Sequence, residues 1–277
     1  MYKAVSPGNI GHGLRFLDAA EVTAKAGFEG YLFDIIGDSK APVSETKEML
    51  AKTGLKAGGF GLPLEYRKDE DTFKEGLSKL EGYAKFAADI GADRCITWIL
   101  SFSEELPWKE NFELHRTRLR QCCEIFKDYG ILFGMEFLGP PSMRKGRKYE
   151  FIHNLDQMLE LCDAIGTDNA GLLLDVWHWD LAGQTKDDFK KITNEMVALV
   201  HIMDAPAGIA VEDQQDGNRC LPGLTGVLRI EEFFDGLKSI SYDGPVAPEP
   251  FDKTLGEMSY TEALDVVMAA VNKVWIK

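Results

Sequence analysis

Short apolar runs alternate along this chain with longer stretches in which apolar residues recur at three- and four-residue steps. The first pattern is that of a buried β-strand and the second that of an amphipathic helix, because same-face side chains repeat every two residues on a strand and about every 3.6 on a helix. The strand-like runs are Tyr2 to Ser6, Gly30 to Asp34, Leu55 to Gly61, Arg94 to Leu100, Ile131 to Phe137, Ala170 to Trp177, Met196 to Met203 and Gly244 to Phe251. Helical faces lie between them: Leu14, Leu17, Ala20 and Ala24 before a stop at Gly27, then Phe73, Leu77, Leu80, Tyr83, Ala84 and Ala87 before Gly91. Leu119, Cys122, Cys123 and Phe126 mark another, and Asn154 stands where it can cap a helix that Gly166 ends.

Eight strand–helix units in 277 residues, about 35 residues each, predict an α/β fold in which a parallel sheet closes on itself: a single-domain (β/α)8 TIM barrel over residues 1–277. A doubly wound open sheet is the competing architecture. It calls for a glycine-rich phosphate turn opening a helix, and GNIGHG at Gly8 to Gly13 does not spell one. No stretch rich in Pro, Gly or Ser marks a boundary to a second domain.

Composition narrows the function. A formal charge of -14 leaves no basic stripe to neutralise phosphates, which excludes a broad nucleic-acid surface and argues equally against an anionic membrane. No run of about 20 apolar residues occurs, and MYKAVSPGNIGHG lacks the apolar core of a signal peptide, so a cytoplasmic protein is expected. Five cysteines without CxxC spacing read as buried free thiols.

The last four strand-like runs share an anomaly. Glu136, Asp175, His201 and Glu249 each sit at or near the end of an apolar run, where a buried strand should still be apolar. Burying such groups without partners costs on the order of 1–7 kcal/mol each, and a barrel gathers the ends of its strands on one face, so a shared divalent cation is the economical partner. Three carboxylates and one imidazole suit Mn, Mg or Co and tolerate Zn. Such an ion polarises a carbonyl and acidifies the neighbouring C–H, and two carboxylates could relay the proton. Taken singly, Glu136 and Glu249 read as solvated strand-end charges and His201 as a satisfied core histidine; the coincidence of all four carries the metal reading.

Around these, His178 reads as a hydrogen-bond donor to substrate or as an exposed helix-leading histidine, and Arg219 as an oxygen or phosphate anchor or as a surface-loop arginine. Trp98, Phe60 and Trp177 are candidate pocket walls, although barrel aromatics are more often core. His12 follows the first strand on the expected active face. Asp204 either orients His201 or begins a loop, and the RKGRK run at Arg144 to Lys148 reads first as a solvated charge run.

At GMEFLGP, GLLLDVWHW, VHIMDAP, LPGLTG and DGPVAPEPF the chain resembles the xylose-isomerase-like sugar isomerase and epimerase superfamily, over essentially its full length and most closely the inosose isomerase type. The resemblance implies metal ligands at Glu136, Asp175, His201 and Glu249, with Glu136 and Glu249 doubling as the acid/base pair and His178 holding substrate. It implies an isomerase or epimerase of a keto-sugar or keto-inositol working through a cis-enediolate, with a small carbohydrate as its partner and a homo-oligomer compatible with the fold. Ketohexose epimerases of this superfamily carry a His two residues before the ligand His and an Arg six after it, where this chain has Leu199 and Ala207. The alternatives are an eliminase of 3-oxo-glycosides, which shares the proton abstraction and then expels a leaving group, and a non-catalytic sugar-binding barrel.

Overall fold

In a computed structural model, which describes residues 1–275, the strand runs become β1 (Tyr2–Val5), β2 (Gly30–Phe33), β3 (Lys56–Gly61), β4 (Arg94–Ile99), β5 (Leu132–Phe137), β6 (Ala170–Asp175), β7 (Val197–Ile202) and β8 (Pro245–Pro248). Each pairs in parallel with its sequence neighbours, and β8 pairs with β1 to close the barrel. Helices cover the outside, among them α1 (Phe16–Lys25), α2 (Val43–Thr53), α3 (Glu70–Ile90), α4 (Trp108–Asp128), α5 (Leu155–Ile165), α6 (Val176–Leu181), α7 (Ile230–Ser239) and α8 (Tyr260–Val274). Among the described residues no helix is long and apolar enough to cross a membrane.

Local signals set the helix ends. Asn154 accepts from the Gln157 amide at 3.0 Å and so caps α5, and Gly166 ends it at φ 73. α1 departs from the expected stripe: Leu14 lies outside the helix, and the buried face is Phe16, Ala19, Ala20 and Thr23. The start is displaced because the Phe16 amide is bonded to Asp38 from the next loop, a long-range cap that local periodicity does not show. The Ala170 to Trp177 run likewise divides at Asp175, whose side chain accepts from the amides of Trp177 and His178 and turns the chain into α6.

The barrel interior is layered by the two-residue strand period. At the bottom, Arg94 of β4 reaches across to the carbonyls of Val197 and Ala198, both at 2.9 Å. Ala4, Leu32, Leu173, Leu199 and Ala247 fill the middle, with Ile96 against them. Gly134 belongs to the crowded part of this wall, where a Cβ would lie 2.7 Å from that of Ala198. Two residues further along, Gly134 leads to Glu136, Leu173 to Asp175, Leu199 to His201 and Ala247 to Glu249. The interior period therefore delivers the four polar groups to one mouth of the barrel.

Candidate metal centre

Strand register brings the four groups together. Asp175 of β6 pairs with His201 of β7, whose other neighbour is Ala247 of β8, and Trp98 of β4 pairs with Glu136 of β5. Glu249 follows β8 between Pro248 and Pro250, its amide bonded to the Ile202 carbonyl at 3.1 Å. Two residues on, Phe251 adopts φ 48, a left-handed conformation that costs a non-glycine residue roughly 1–3 kcal/mol and marks a loop held by its surroundings.

One ligand atom from each of Glu136, Asp175, His201 and Glu249 lies within 4.8 Å of every other. His201 Nδ1 is 3.4 Å from Glu249 Oε2, 3.8 Å from Glu136 Oε1 and 3.9 Å from Asp175 Oδ2. These are ion-pair separations, and both ring nitrogens of His201 and Oε1 of Glu136 are buried without a hydrogen-bond partner. Buried polar atoms in folded proteins are almost always bonded. Three carboxylates and an imidazole gathered at one point, with Glu136 Oε1 and both His201 nitrogens unpartnered, fit a divalent cation, the kind of ion the sequence pattern implied.

The electrostatics fit the same description. Burial, with the Asp175 and Glu249 charges added, pushes Glu136 up to about 8 against the lowering contact of His201. Burial opposes a charge on His201, but Glu249 and Glu136 outweigh it and lift the imidazole to about 10. For Glu249 burial is likewise overcome, by His201 and then Arg219, and the carboxyl is held at about 2. Glu136 and His201 are thus both biased towards their protonated forms, and a bound cation would have to displace those protons.

Arg219 is the other buried cation. Its Nη1 donates to Glu249 Oε2 at 2.8 Å and to Asp175 Oδ2 at 3.0 Å, and its Nη2 to Asp216 Oδ1 at 2.6 Å. The guanidinium also lies 4.5 Å from the Phe251 ring centre. His178 is neutral, burial having pushed it down to about 3. Gly139 N–H donates to His178 Nδ1 at 3.3 Å, an approach that only a glycine permits, since a Cβ there would collide with the His178 carbonyl. The ring proton is thereby assigned to Nε2, leaving the 3.0 Å approach of Arg219 Nη2 as a contact between two donors.

A cavity of about 340 Å³ opens over the cluster, lined by Glu136, Glu249, His178, Arg219 and Trp98 together with Leu100, Leu138, Met143, Asp216 and Phe251. Of the remaining candidates, Phe60 is 1% exposed and packs edge-on against Phe126, in the core. His12 bonds the Leu255 carbonyl at 3.0 Å through Nε2 and lines a separate cavity with Ser6, Arg15 and Asp34. Trp177 is fully buried beneath Arg219. Asp204 does not touch His201: it accepts from the amides of Ala205, Thr225, Gly226 and Leu228 and so organises the loop after β7. Arg144 donates to the carbonyls of Gly139 and Pro140 within its own loop, and Arg147 pairs with Glu104 of the loop after β4, so neither lines the central cavity. Asp216, Leu138, Met143 and Phe251 escaped the sequence reading. Asp216 alone left a trace there, as an acid three residues before Arg219.

The model of the xylose isomerase-like TIM barrel matches residues 20–270. The chain belongs to that family. Among relatives, the inosose isomerase of Halalkalibacterium halodurans is 26% identical over 210 residues, covering 74% of this chain and 71% of that protein. A xylose isomerase domain protein from Alicyclobacillus acidocaldarius superposes with a TM-score of 0.88 at 27% identity, over 99% of this chain and 98% of the other. The IOLI protein, crystallised with a zinc atom, shares the fold at a TM-score of 0.82 and 18% identity, over 99% and 98% of the two chains.

Proposed function

We propose that this protein is a divalent-metal-dependent isomerase or epimerase of a keto-inositol or keto-sugar. The observation that carries the reading is the buried cluster of Glu136, Asp175, His201 and Glu249, in which Glu136 Oε1 and both His201 nitrogens have no partner, under a cavity of monosaccharide scale. The similarity to inosose isomerases supports the substrate class. Glu136, Asp175, His201 and Glu249 would hold the metal, whether Mn, Co, Mg or Zn, which when bound supplies Lewis-acid polarisation of a substrate carbonyl.

The remaining work falls to side chains. Glu136 and Glu249 come from non-adjacent strands and both line the cavity, so one can take the proton alpha to the carbonyl and the other return one to the neighbouring carbon or oxygen. His178 donates from Nε2 to a substrate oxygen. Arg219, fixed by Asp216, spreads positive charge beside Glu249, where it would stabilise negative charge developing on the enediolate oxygens. Trp98, Leu138 and Phe251 supply apolar walls against which a ring can pack.

Solvent-deuterium exchange followed by NMR tests this with Mn²⁺-loaded protein and a panel of inososes, ketohexoses and 3-oxo-glucosides. The expected result is exchange at a carbon next to a carbonyl, abolished by EDTA. Absence of exchange with every compound, in protein carrying stoichiometric metal, would overturn the proposal.

A further inference from the structure

Beside the central cavity lies a second one of about 250 Å³, lined by Arg67, Leu100, Phe102, Glu104, Asn111 and His115 among others. It sits between the loop after β3, the loop after β4 and the start of α4. A short antiparallel pair, Phe102–Ser103 with Tyr149–Glu150, ties the loop after β4 to the one after β5 beside it. Leu100 lines both cavities, and Trp98, which walls the central one, carries the Arg67 guanidinium over its ring at 3.8 Å.

Two polar groups of this second cavity lack partners, and they differ in kind. Arg67 is held by Glu65 through Nε at 2.8 Å and Nη2 at 3.0 Å, which leaves Nη1 as a buried donor with no acceptor. His115 is 4% exposed, and its Nδ1 lies 2.8 Å from the Asn111 carbonyl, an acceptor, so the ring proton is on Nδ1. Burial keeps the imidazole neutral, with its pKa pushed down to about 4. Its Nε2 is therefore a buried lone pair, also unpartnered.

A fixed donor and a fixed acceptor lining one cavity are complemented by a group that accepts and donates at once. A hydroxyl does both. A carboxylate or a fully ionised phosphate has no hydrogen to offer His115, Glu65 already pairs with Arg67, and Glu104 and Glu105 add further carboxylates to the lining of the same cavity. We propose that the second cavity is a subsite for a hydroxyl-bearing extension of the substrate, a second sugar ring or polyol arm attached to the ring held over the four-residue cluster. This assignment rests on the carbohydrate reading of the central cavity and extends it: the preferred substrate is a glycoside or similarly extended polyol rather than a free single ring.

Calorimetric titration of Mg²⁺-loaded protein with myo-inositol and with its α- and β-galactosides tests the subsite. Both one-ring and two-ring compounds should bind, at least one galactoside about tenfold more tightly. Arg67→Met keeps an apolar cover on Trp98 while removing the donor; it should erase that gain and leave myo-inositol affinity unchanged, with an unaltered melting temperature showing that the fold is intact. His115→Phe, which retains a ring against Tyr66 and Phe151, should do the same. If myo-inositol binds and no galactoside binds more tightly, or if the gain survives both substitutions, the cavity is a water-filled space only and the subsite is overturned. Failure of every compound to bind, in metal-loaded protein, overturns the carbohydrate reading and the subsite with it.

Discussion

Asp204 and Glu136 are both buried carboxylates at the mouth of the same barrel, and their surroundings are opposite. Asp204 receives four backbone amides, from Ala205, Thr225, Gly226 and Leu228, and nothing about it is left unpaired. Glu136 is buried with Oε1 unbonded, beside an imidazole whose two nitrogens are also unbonded. The first carboxylate holds a loop in shape. The second is left with an acceptor that the fold does not pair, as the proposed metal site requires. Burial and acidity alone do not separate structural from functional carboxylates; what separates them is whether the partners come from the fold.

The contrast is broken most severely at Glu249. Glu249→Gln should lower turnover roughly a thousandfold, in the range of a lost general acid or base, while metal affinity falls by less than about tenfold because the amide still offers an oxygen. Steady-state kinetics beside a metal titration separates the two effects. Turnover within about threefold of the unmodified protein would remove Glu249 from proton transfer.

Asp204→Ala should do the reverse. Four amides lose a charged acceptor, so stability should drop by about 3 kcal/mol in urea unfolding, while the folded protein still takes up one metal per chain. Glu136→Gln sharpens the comparison from the other side. Its folded pKa is raised to about 8, so the ionised carboxyl weakens the metal-free fold as pH rises from the ordinary carboxylate range through 8. At pH 7 the neutral amide should therefore raise the stability of metal-free protein while weakening metal binding. Loss of metal-free stability in that variant would show that Glu136 is satisfied after all.

How much of this was readable beforehand follows the same division. The strand period placed Glu136, Asp175, His201 and Glu249 correctly at strand ends, because a polar residue closing an apolar run is a local signal. The eight-unit alternation was local too, and it gives the barrel. Asp204 was left open between orienting His201 and starting a loop, since its partners lie up to 24 residues away and nothing near Asp204 announces them. Phe60 and His12 were assigned by their positions at the end of β3 and after β1, yet position cannot say whether an aromatic faces the mouth or, like Phe60, the helices. The second cavity was invisible for a like reason: Arg67, Trp98 and His115 come together only once a loop, a strand and a helix have packed.

A further effect should appear in acid. His115 is held neutral at a pKa of about 4 against an ordinary value near 6.5, so unfolded chains bind a proton that the folded protein refuses. Its contribution to stability is complete above about pH 6.5 and is lost as pH falls towards 4, by up to roughly 3 kcal/mol. Urea unfolding across that interval should show a shallower pH slope in His115→Phe than in the unmodified protein, and parallel slopes would rule His115 out.

Metal titration of EDTA-treated protein, followed by calorimetry in two buffers of different protonation enthalpy, tests the central assignment most directly. The expected result is one Mn²⁺ or Zn²⁺ per chain with release of at least one proton at pH 7, because His201 must give up the proton that its carboxylate neighbours hold, and loss of that site in His201→Leu. No saturable site, or one that survives His201→Leu with unchanged affinity, would contradict it.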